Sequence, residues 1–228
     1  MSKLTKLFRE ELKDREVAFV YLGYSGIVLR VKEYTLVFDA GDLLEEEDIM
    51  DMQRPVIAMY THNHSDHFHT RVAMKLYDLK GAIIITNDEV FKDLETFLPS
   101  TNLRLLAPRK GVRLGNARIF AIEGKHIVPT NVYYVIMDNL RIFHGGSSGY
   151  INLSKLNADI AFLPVGYPSA DASPESAAQI AIDLNVKYAV AIHGNEEQKE
   201  LFKEILKNKK PEIDVLIPKE EELVKISL

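Results

Sequence analysis

The order of apolar and polar positions divides the chain into short elements. Leu4, Leu7, Phe8 and Leu12 recur at helical spacing among charges, which predicts an amphipathic helix over 3–13. It lies within an N-terminal segment, residues 1–16, expected to pack on the rest of the protein. The period then changes. Residues 17–22, 26–31 and 35–38 are β-branched and aromatic runs separated by Gly-Tyr-Ser and Lys-Glu-Tyr turns. Residues 56–60 and 82–85 are further apolar runs of strand length, and 72–79 and 90–97 carry helical patterns. From 103 to 143 the pattern is all strand, over 103–106, 112–114, 118–123, 132–137 and 140–143, with Asp138-Asn139 as a hairpin turn. The third quarter returns to strand and helix. A strand over 160–163 precedes Ser173-Pro174, an N-cap followed by proline at the first helical position of a helix ending at Leu184. A strand over 188–192 and a helix over 196–207 follow.

No repeat, low-complexity stretch or Gly/Ser/Pro linker interrupts these elements, so residues 1–228 read as a single domain. Strands followed by helices, then strands and helices again, suggest two sheets between helical layers. With 46% hydrophobic residues the chain is long and apolar enough to bury a sizeable core. It has no cysteine, which excludes disulfides, thiolate metal sites and a cysteine nucleophile, so any metal must be held by His, Asp or Glu. The net charge of −5 and the lack of a long basic tract argue against a nucleic-acid partner. Residues 1–16 hold no continuous apolar run, so no signal peptide is expected. No stretch is long enough to span a membrane, and a cytoplasmic protein is the expectation.

The chemistry concentrates in Thr61-His62-Asn63-His64-Ser65-Asp66-His67-Phe68-His69, directly after the apolar run 56–60. Four of the seven histidines fall in these nine residues. In α/β sheets the loop beyond a strand's carboxyl end is the usual place for a ligand. Imidazole binds divalent zinc, iron or manganese, and a carboxylate adds a hard oxygen donor. In extended backbone, His62 and His64 would face one way and grip one ion, while a turn at Asp66-His67 would present two donors to another. His126, His144 and His193 are single, yet each follows a predicted strand, the position from which ligands converge.

The pattern His62-X-His64-X-Asp66-His67 resembles the signature of the metallo-β-lactamase fold hydrolases. Order and context agree along nearly the whole chain. Asp39, ending Leu36-Val37-Phe38-Asp39, matches the first motif of that superfamily, and His126 and His193 match its later single histidines. The chain is most similar to the branch of zinc-dependent hydrolases that includes the ascorbate-6-phosphate lactonases. Tyr21-Leu22-Gly23-Tyr24-Ser25, Phe143-His144-Gly145-Gly146-Ser147-Ser148-Gly149, Leu163-Pro164-Val165-Gly166 and Ser173-Pro174-Glu175-Ser176-Ala177 each resemble a segment of that branch. The resemblance implies an α/β fold, a four-layer αββα sandwich of two mixed sheets flanked by helices. It implies His62, His64 and His126 on one metal and Asp66, His67 and His193 on a second, with Asp39 orienting a ligand or ligand loop through a hydrogen bond. It also implies one or two divalent ions, zinc first and manganese or iron as alternatives. A metal-held hydroxide steered by Asp66 would then attack a small-molecule ester, lactone or phosphoester.

Departures from the family pattern leave alternatives open. Ser147 stands where the family has an Asp bridging two ions, so the site would be mononuclear, or dinuclear with only hydroxide or substrate as bridge, or no longer catalytic. Tyr24 replaces a frequent His and reads as a turn aromatic. His69 replaces a frequent Gly and is either a partner of the ligands or an exposed helix residue, while His144 matches a histidine that is not a ligand. The run 145–149 reads as a tight turn more readily than as an anion cradle. Arg104, Arg109, Lys110, Arg113 and Arg118 read as charged strand edges more readily than as a phosphate-attracting face. Besides the small-molecule hydrolase, two readings stand: a metal-dependent phosphodiesterase or nuclease, and a non-hydrolytic metal-binding scaffold, sensor or redox di-iron protein.

Overall fold

The structure, a computed structural model, describes residues 2–228. They form two compact units, residues 2–107 with 219–228, and residues 108–218.

In the first unit the elements are α1 (Thr5–Arg9), β1 (Glu16–Gly23), β2 (Gly26–Val31), β3 (Tyr34–Phe38), α2 (Glu46–Asp51), β4 (Val56–Tyr60), α3 (Thr70–Lys80), β5 (Ile83–Thr86), α4 (Asp88–Leu94) and β6 (Leu103–Leu105). The second holds β7 (Gly111–Leu114), β8 (Ala117–Glu123), β9 (Asn131–Met137), β10 (Leu140–His144), β11 (Ile160–Pro164), α5 (Pro174–Asp183), β12 (Tyr188–Ile192), α6 (Glu196–Lys209) and β13 (Asp214–Leu216). The chain returns to the first unit for β14 (Leu223–Ser227).

Each unit is one mixed sheet of seven strands, in the orders β14-β1-β2-β3-β4-β5-β6 and β13-β12-β11-β10-β9-β8-β7. The steps β3-β4-β5-β6 and β10-β11-β12-β13 are parallel, and the rest antiparallel. Crossover helices α2, α3, α4, α5 and α6 join the other parallel neighbours, whereas β10 and β11 are linked by the helix-free segment 145–159. Each unit therefore holds one mixed sheet with helices packed on it, in keeping with the expected α/β fold of two mixed sheets and helices.

The burial follows the sequence pattern. β4, β11 and most of β1 are unbroken apolar runs, every residue of β4 and β11 is buried, and such runs are the mark of strands covered on both faces. β8 instead alternates buried and exposed positions, as a strand with one wetted face should. In the first unit Val20, Val28, Val37, Ala58 and Ile84 pack with Ile49, Val72, Leu76 and Leu94 from the helices. In the second, Phe143, Ala161, Leu163 and Ala189 pack with Ala177, Ala181, Phe202 and Leu206. Each fully buried Val, Leu, Ile or Phe contributes about 1.5–3 kcal/mol.

Three differences from the sequence expectations have physical causes. The N-terminal helix covers only Thr5–Arg9, not 3–13. The guanidinium of Arg30, itself buried, donates to the carbonyls of Leu7 (2.6 Å) and Glu10 (2.8 Å), and Lys225 Nζ takes the carbonyl of Glu11. Those carbonyls are thus committed to side chains, while Leu12 still packs on the core from outside the helix. The helix predicted over 90–97 starts earlier and ends at Leu94, because Asn87 caps it by accepting from the Val90 amide (3.0 Å). Finally α2, β13 and β14 carry no readable period. Only Asp48 and Ile49 of α2 and Ile226 of β14 are buried, and no residue of β13 is, so tertiary pairing rather than pattern defines them. Among the described residues no helix is long and apolar enough to cross a membrane.

Candidate metal centre

In the first unit β3 and β4 are parallel neighbours with Phe38 opposite Met59, so Asp39 and Thr61 emerge from the same end of the sheet. Asp39 turns there in the left-handed region, φ +41°. That conformation is uncommon outside glycine but tolerated best by Asn, Asp and His. Its fully buried carboxylate collects three donors. Oδ1 accepts the Thr61 amide (2.8 Å), and Oδ2 accepts both the Thr61 hydroxyl (2.8 Å) and His67 Nδ1–H (2.8 Å). Having given its proton to Asp39, Thr61 Oγ1 accepts from His62 Nδ1–H at 3.0 Å. One carboxylate thereby sets the tautomer of two imidazoles, directly and through Thr61. It assigns the lone pair of each neutral ring to Nε2.

The loop that carries these rings is held from both sides. The His64 carbonyl accepts the amides of His67 and Phe68 (both 2.9 Å), and the Gly41 amide donates to the His67 carbonyl (2.9 Å). Gly41 lies at φ +51°, and a Cβ there would come within 2.9 Å of the Asp66 carbonyl oxygen, so only glycine allows this approach. The His62 ring stands 4.6 Å from His64 and 4.0 Å from His67, centroid to centroid. Asp66 Oδ2 and His67 Nε2 are 3.3 Å apart. Two donors placed 2.0–2.1 Å from one tetrahedral zinc are separated by about 3.3 Å, so this pair has the spacing of ligands to a common ion. Burial, the largest single influence on His67, disfavours its cation, but the charge and hydrogen bond of Asp39 and those of Asp66 outweigh it and raise its pKa to about 9. Tyr60, at the end of β4, is pushed well above the ordinary phenol range by burial and by the charge of Asp39.

In the second unit the ends of β10, β11 and β12 carry the relevant residues. His193 follows Ile192 directly, is 2% exposed and has φ +52°, and its Nε2 lies 3.2 Å from Ser147 Oγ. His126 sits in the β8–β9 loop with Nδ1 3.1 Å from Asp171 Oδ2, a second carboxylate–imidazole pair that leaves Nε2 as the ligating atom. Asp171, Thr61 and Gly41 escaped the sequence reading. Thr61 had one cue, its place immediately before the first histidine, whereas Asp171 lies in a loop without any metal-ligand spacing.

The residues left open by the sequence fall into place as follows. His69 is exposed and caps α3, with Nδ1 accepting the Arg71 amide (3.2 Å), so of the two readings it is the helix residue. His144 is the last residue of β10 rather than a residue past its end. It is fully buried, and its Nδ1 accepts the Gly146 amide (3.3 Å), so its Nδ1 shapes a turn. Tyr24 is a half-exposed turn residue whose carbonyl accepts the Tyr21 hydroxyl (3.1 Å). The amides of Gly145, Gly146, Ser148 and Gly149 all donate to protein acceptors, which makes 145–149 a turn and not an anion cradle. Arg104 and Arg113 bond to nearby carbonyls, Ser100 and Leu103 for the first and Gly115 for the second, as charged strand edges do.

Imidazole nitrogens with fixed tautomers and one carboxylate suit a divalent metal. Residues 18–193, well over half of the chain, match the family described as the Beta-lactamase superfamily domain. No curated protein sequence matches the chain. Among solved structures it is similar to Igni18, a metallo hydrolase from the hyperthermophilic archaeon Ignicoccus hospitalis, at 18% identity over 93% of this chain and 99% of that one, with a TM-score of 0.78. It is also similar to the metallo-β-lactamase fold protein YhfI from Bacillus subtilis, at 14% identity over 92% and 99% of the two chains, TM-score 0.73. CmlA, a diiron β-hydroxylase from Streptomyces venezuelae, shares 12% identity over 96% of this chain and 55% of that one, TM-score 0.71. Likeness at such identities speaks for the fold and not for the reaction. The family match runs from the first long strand to the last histidine singled out above, and the chain is therefore a member of the β-lactamase superfamily with the metallo-β-lactamase α/β fold.

Proposed function

We propose that this protein is a metal-dependent hydrolase of a small ester, lactone or phosphoester. His62, His64 and His126 would hold one divalent ion, and Asp66, His67 and His193 a second. The observation that carries this reading is the Asp39 carboxylate, whose three accepted hydrogen bonds fix His67 and, through Thr61, His62 in the tautomer that ligation requires. A buried carboxylate arranged in this way has no equivalent purpose in a mere polar turn. The donor set contains no thiolate and suits zinc first, with manganese or iron as alternatives. When bound, the metal would supply an activated water near neutral pH and polarise the scissile carbonyl or phosphoryl oxygen. Asp66, partly exposed, would orient the attacking water by accepting its proton at a carboxylate oxygen. The substrate would be a small molecule free in solution, in keeping with a net charge of −5 and no basic tract.

Ser147 favours a second reading. Its neutral hydroxyl faces His193 Nε2, the position of the bridging Asp in the family pattern, and it brings no charge to hold two cations together. Under this reading the protein holds a single ion on the three-imidazole set or serves as a metal-binding scaffold. Elemental analysis of protein reconstituted with zinc or manganese, together with hydrolysis of p-nitrophenyl acetate, a γ-lactone and bis(p-nitrophenyl) phosphate, separates the two. The hydrolase reading expects bound metal and turnover that His64→Ala abolishes while the far-UV circular dichroism stays unchanged. Bound metal without turnover on any of the three gives the scaffold reading its support. No bound metal after reconstitution overturns both.

A further inference from the structure

Two apolar side chains have no folding role that explains them. Among the described residues Tyr167, 74% exposed, and Ile127, 71% exposed, are the most exposed of the large hydrophobics. Single exposed apolar residues are ordinary on any surface. These two, however, stand on the two loops of the second unit that adjoin His193 and His126. Ile127 follows His126 directly, and the Tyr167 carbonyl accepts the Gly194 amide at 2.6 Å, next to His193.

Neither loop is loose. The Tyr167 amide donates to Gln198 Oε1 (3.1 Å), Ser169 Oγ donates to the Ser147 carbonyl (2.7 Å), and Asp171 binds His126. Gly149 presses on the same loop, since a Cβ there would lie 2.5 Å from the Asp171 carbonyl oxygen. The base of the other loop is closed by the Gly124 amide on the Thr130 carbonyl (2.8 Å) and the Lys125 amide on Ser148 Oγ (2.8 Å). The His126–Asp171 bond ties the two loops together. A pinned backbone therefore holds an aromatic ring and a branched alkyl chain out in water beside two candidate ligands. Over 124–130 and 165–173 there is one cation, Lys125, and one carboxylate, Asp171, which is committed to His126. These loops have no cluster of cations to receive a phosphate.

We propose that Ile127 and Tyr167 form an apolar wall that receives the hydrocarbon part of the substrate, so that the substrate class is an uncharged ester or lactone bearing an alkyl or aryl group. This rests on the hydrolase reading above and narrows it. The wall also predicts discrimination by chain length, because each methylene buried against it adds affinity.

The test compares p-nitrophenyl octanoate, p-nitrophenyl acetate and bis(p-nitrophenyl) phosphate on the metal-loaded protein. The octanoate is expected to exceed the acetate in kcat/KM by about tenfold or more, carried mainly by KM. Tyr167→Ala and Ile127→Ala should each erase most of that ratio, and Tyr167→Phe should restore it. Equal kcat/KM for the two esters, a ratio untouched by both alanine variants, or preference for the phosphodiester would overturn the proposal. Calorimetric titration with octanoate, which requires no turnover, keeps the two readings apart. If neither ester, nor the phosphodiester, nor a γ-lactone is hydrolysed, the hydrolase reading fails. Octanoate binding that the alanine variants weaken would still support the wall, and absence of binding would refute it.

Discussion

Asp39 and His67 are joined by a 2.8 Å hydrogen bond between two side chains that are both completely buried. A buried carboxylate is costly unless its lone pairs are occupied. Here Asp39 accepts from the Thr61 amide, the Thr61 hydroxyl and His67 Nδ1–H. The arrangement fixes which nitrogen of the imidazole faces Asp66. It also explains why an isosteric amide is no substitute.

In Asp39→Asn the NH2 group must oppose at least one of those donors, whichever way the amide is turned. If it is turned toward His67, the ring relieves the conflict by moving its proton to Nε2, the nitrogen needed for ligation. Loss of such a partner typically costs 10–100-fold in metal affinity. Competition titrations with a chromogenic chelator should therefore show zinc affinity lowered by about that factor. An affinity within twofold of the wild type would remove Asp39 from its positioning role.

The same pair predicts how the chelated protein responds to pH. His67 has its folded pKa raised to about 9, above the unfolded value near 6.5. The stability it contributes is fully present below about pH 6.5 and is lost as pH rises through about 9. Thermal denaturation in the presence of chelator should accordingly show a midpoint that falls between these limits, and the fall should be shallower in Asp39→Asn. A flat profile in the wild type would mean that His67 is neutral in the metal-free protein.

Much of this centre was legible in the sequence, and the reasons differ by residue. His62, His64, Asp66 and His67 lie within six positions of one loop, so covalent spacing alone brings them together. Asp39 was legible because it ends an apolar strand at a position matched by a family motif. Asp171 was not, because its partner His126 lies 45 residues away and only the tertiary fold joins them. The fold shows the same division. Strands buried on both faces read directly as apolar runs, whereas β14 has a single buried residue, Ile226, and exists because β1 offers it a partner. The N-terminal helix was overestimated because Leu12 sits at helical spacing yet packs from beyond the helix end, with Arg30 occupying the carbonyls of Leu7 and Glu10.

Gly41 makes the histidine loop sensitive to one methyl group. Its φ of +51° disfavours any side chain, and the added Cβ would meet the Asp66 carbonyl oxygen at 2.9 Å. Gly41→Ala should cost about 1–3 kcal/mol in urea denaturation. It should also weaken metal binding, because the backbone that must yield is that of Asp66 itself. An alanine variant with unchanged stability and unchanged metal affinity would show that the loop adjusts freely.

Ser147 is where this chain departs most from the family pattern, and it offers the most direct test of how many ions are held. Its hydroxyl lies 3.2 Å from His193 Nε2, so a carboxylate introduced there would reach toward the same ligand nitrogen from a buried position, 3% exposed. Without a metal, that carboxylate would be uncompensated, and Ser147→Asp should lower the stability of the chelated protein by several kcal/mol. With metal present, its charge would sit between two cations and offset their repulsion. Reconstituted Ser147→Asp should therefore bind more metal per chain than the wild type, and its thermal midpoint should rise more steeply with zinc concentration. The two effects have opposite signs, so a variant that is merely damaged is distinguishable from one that has regained a bridge. If stability falls without metal and zinc restores none of it, Ser147 does not occupy the bridging position, and the serine no longer argues for a single ion.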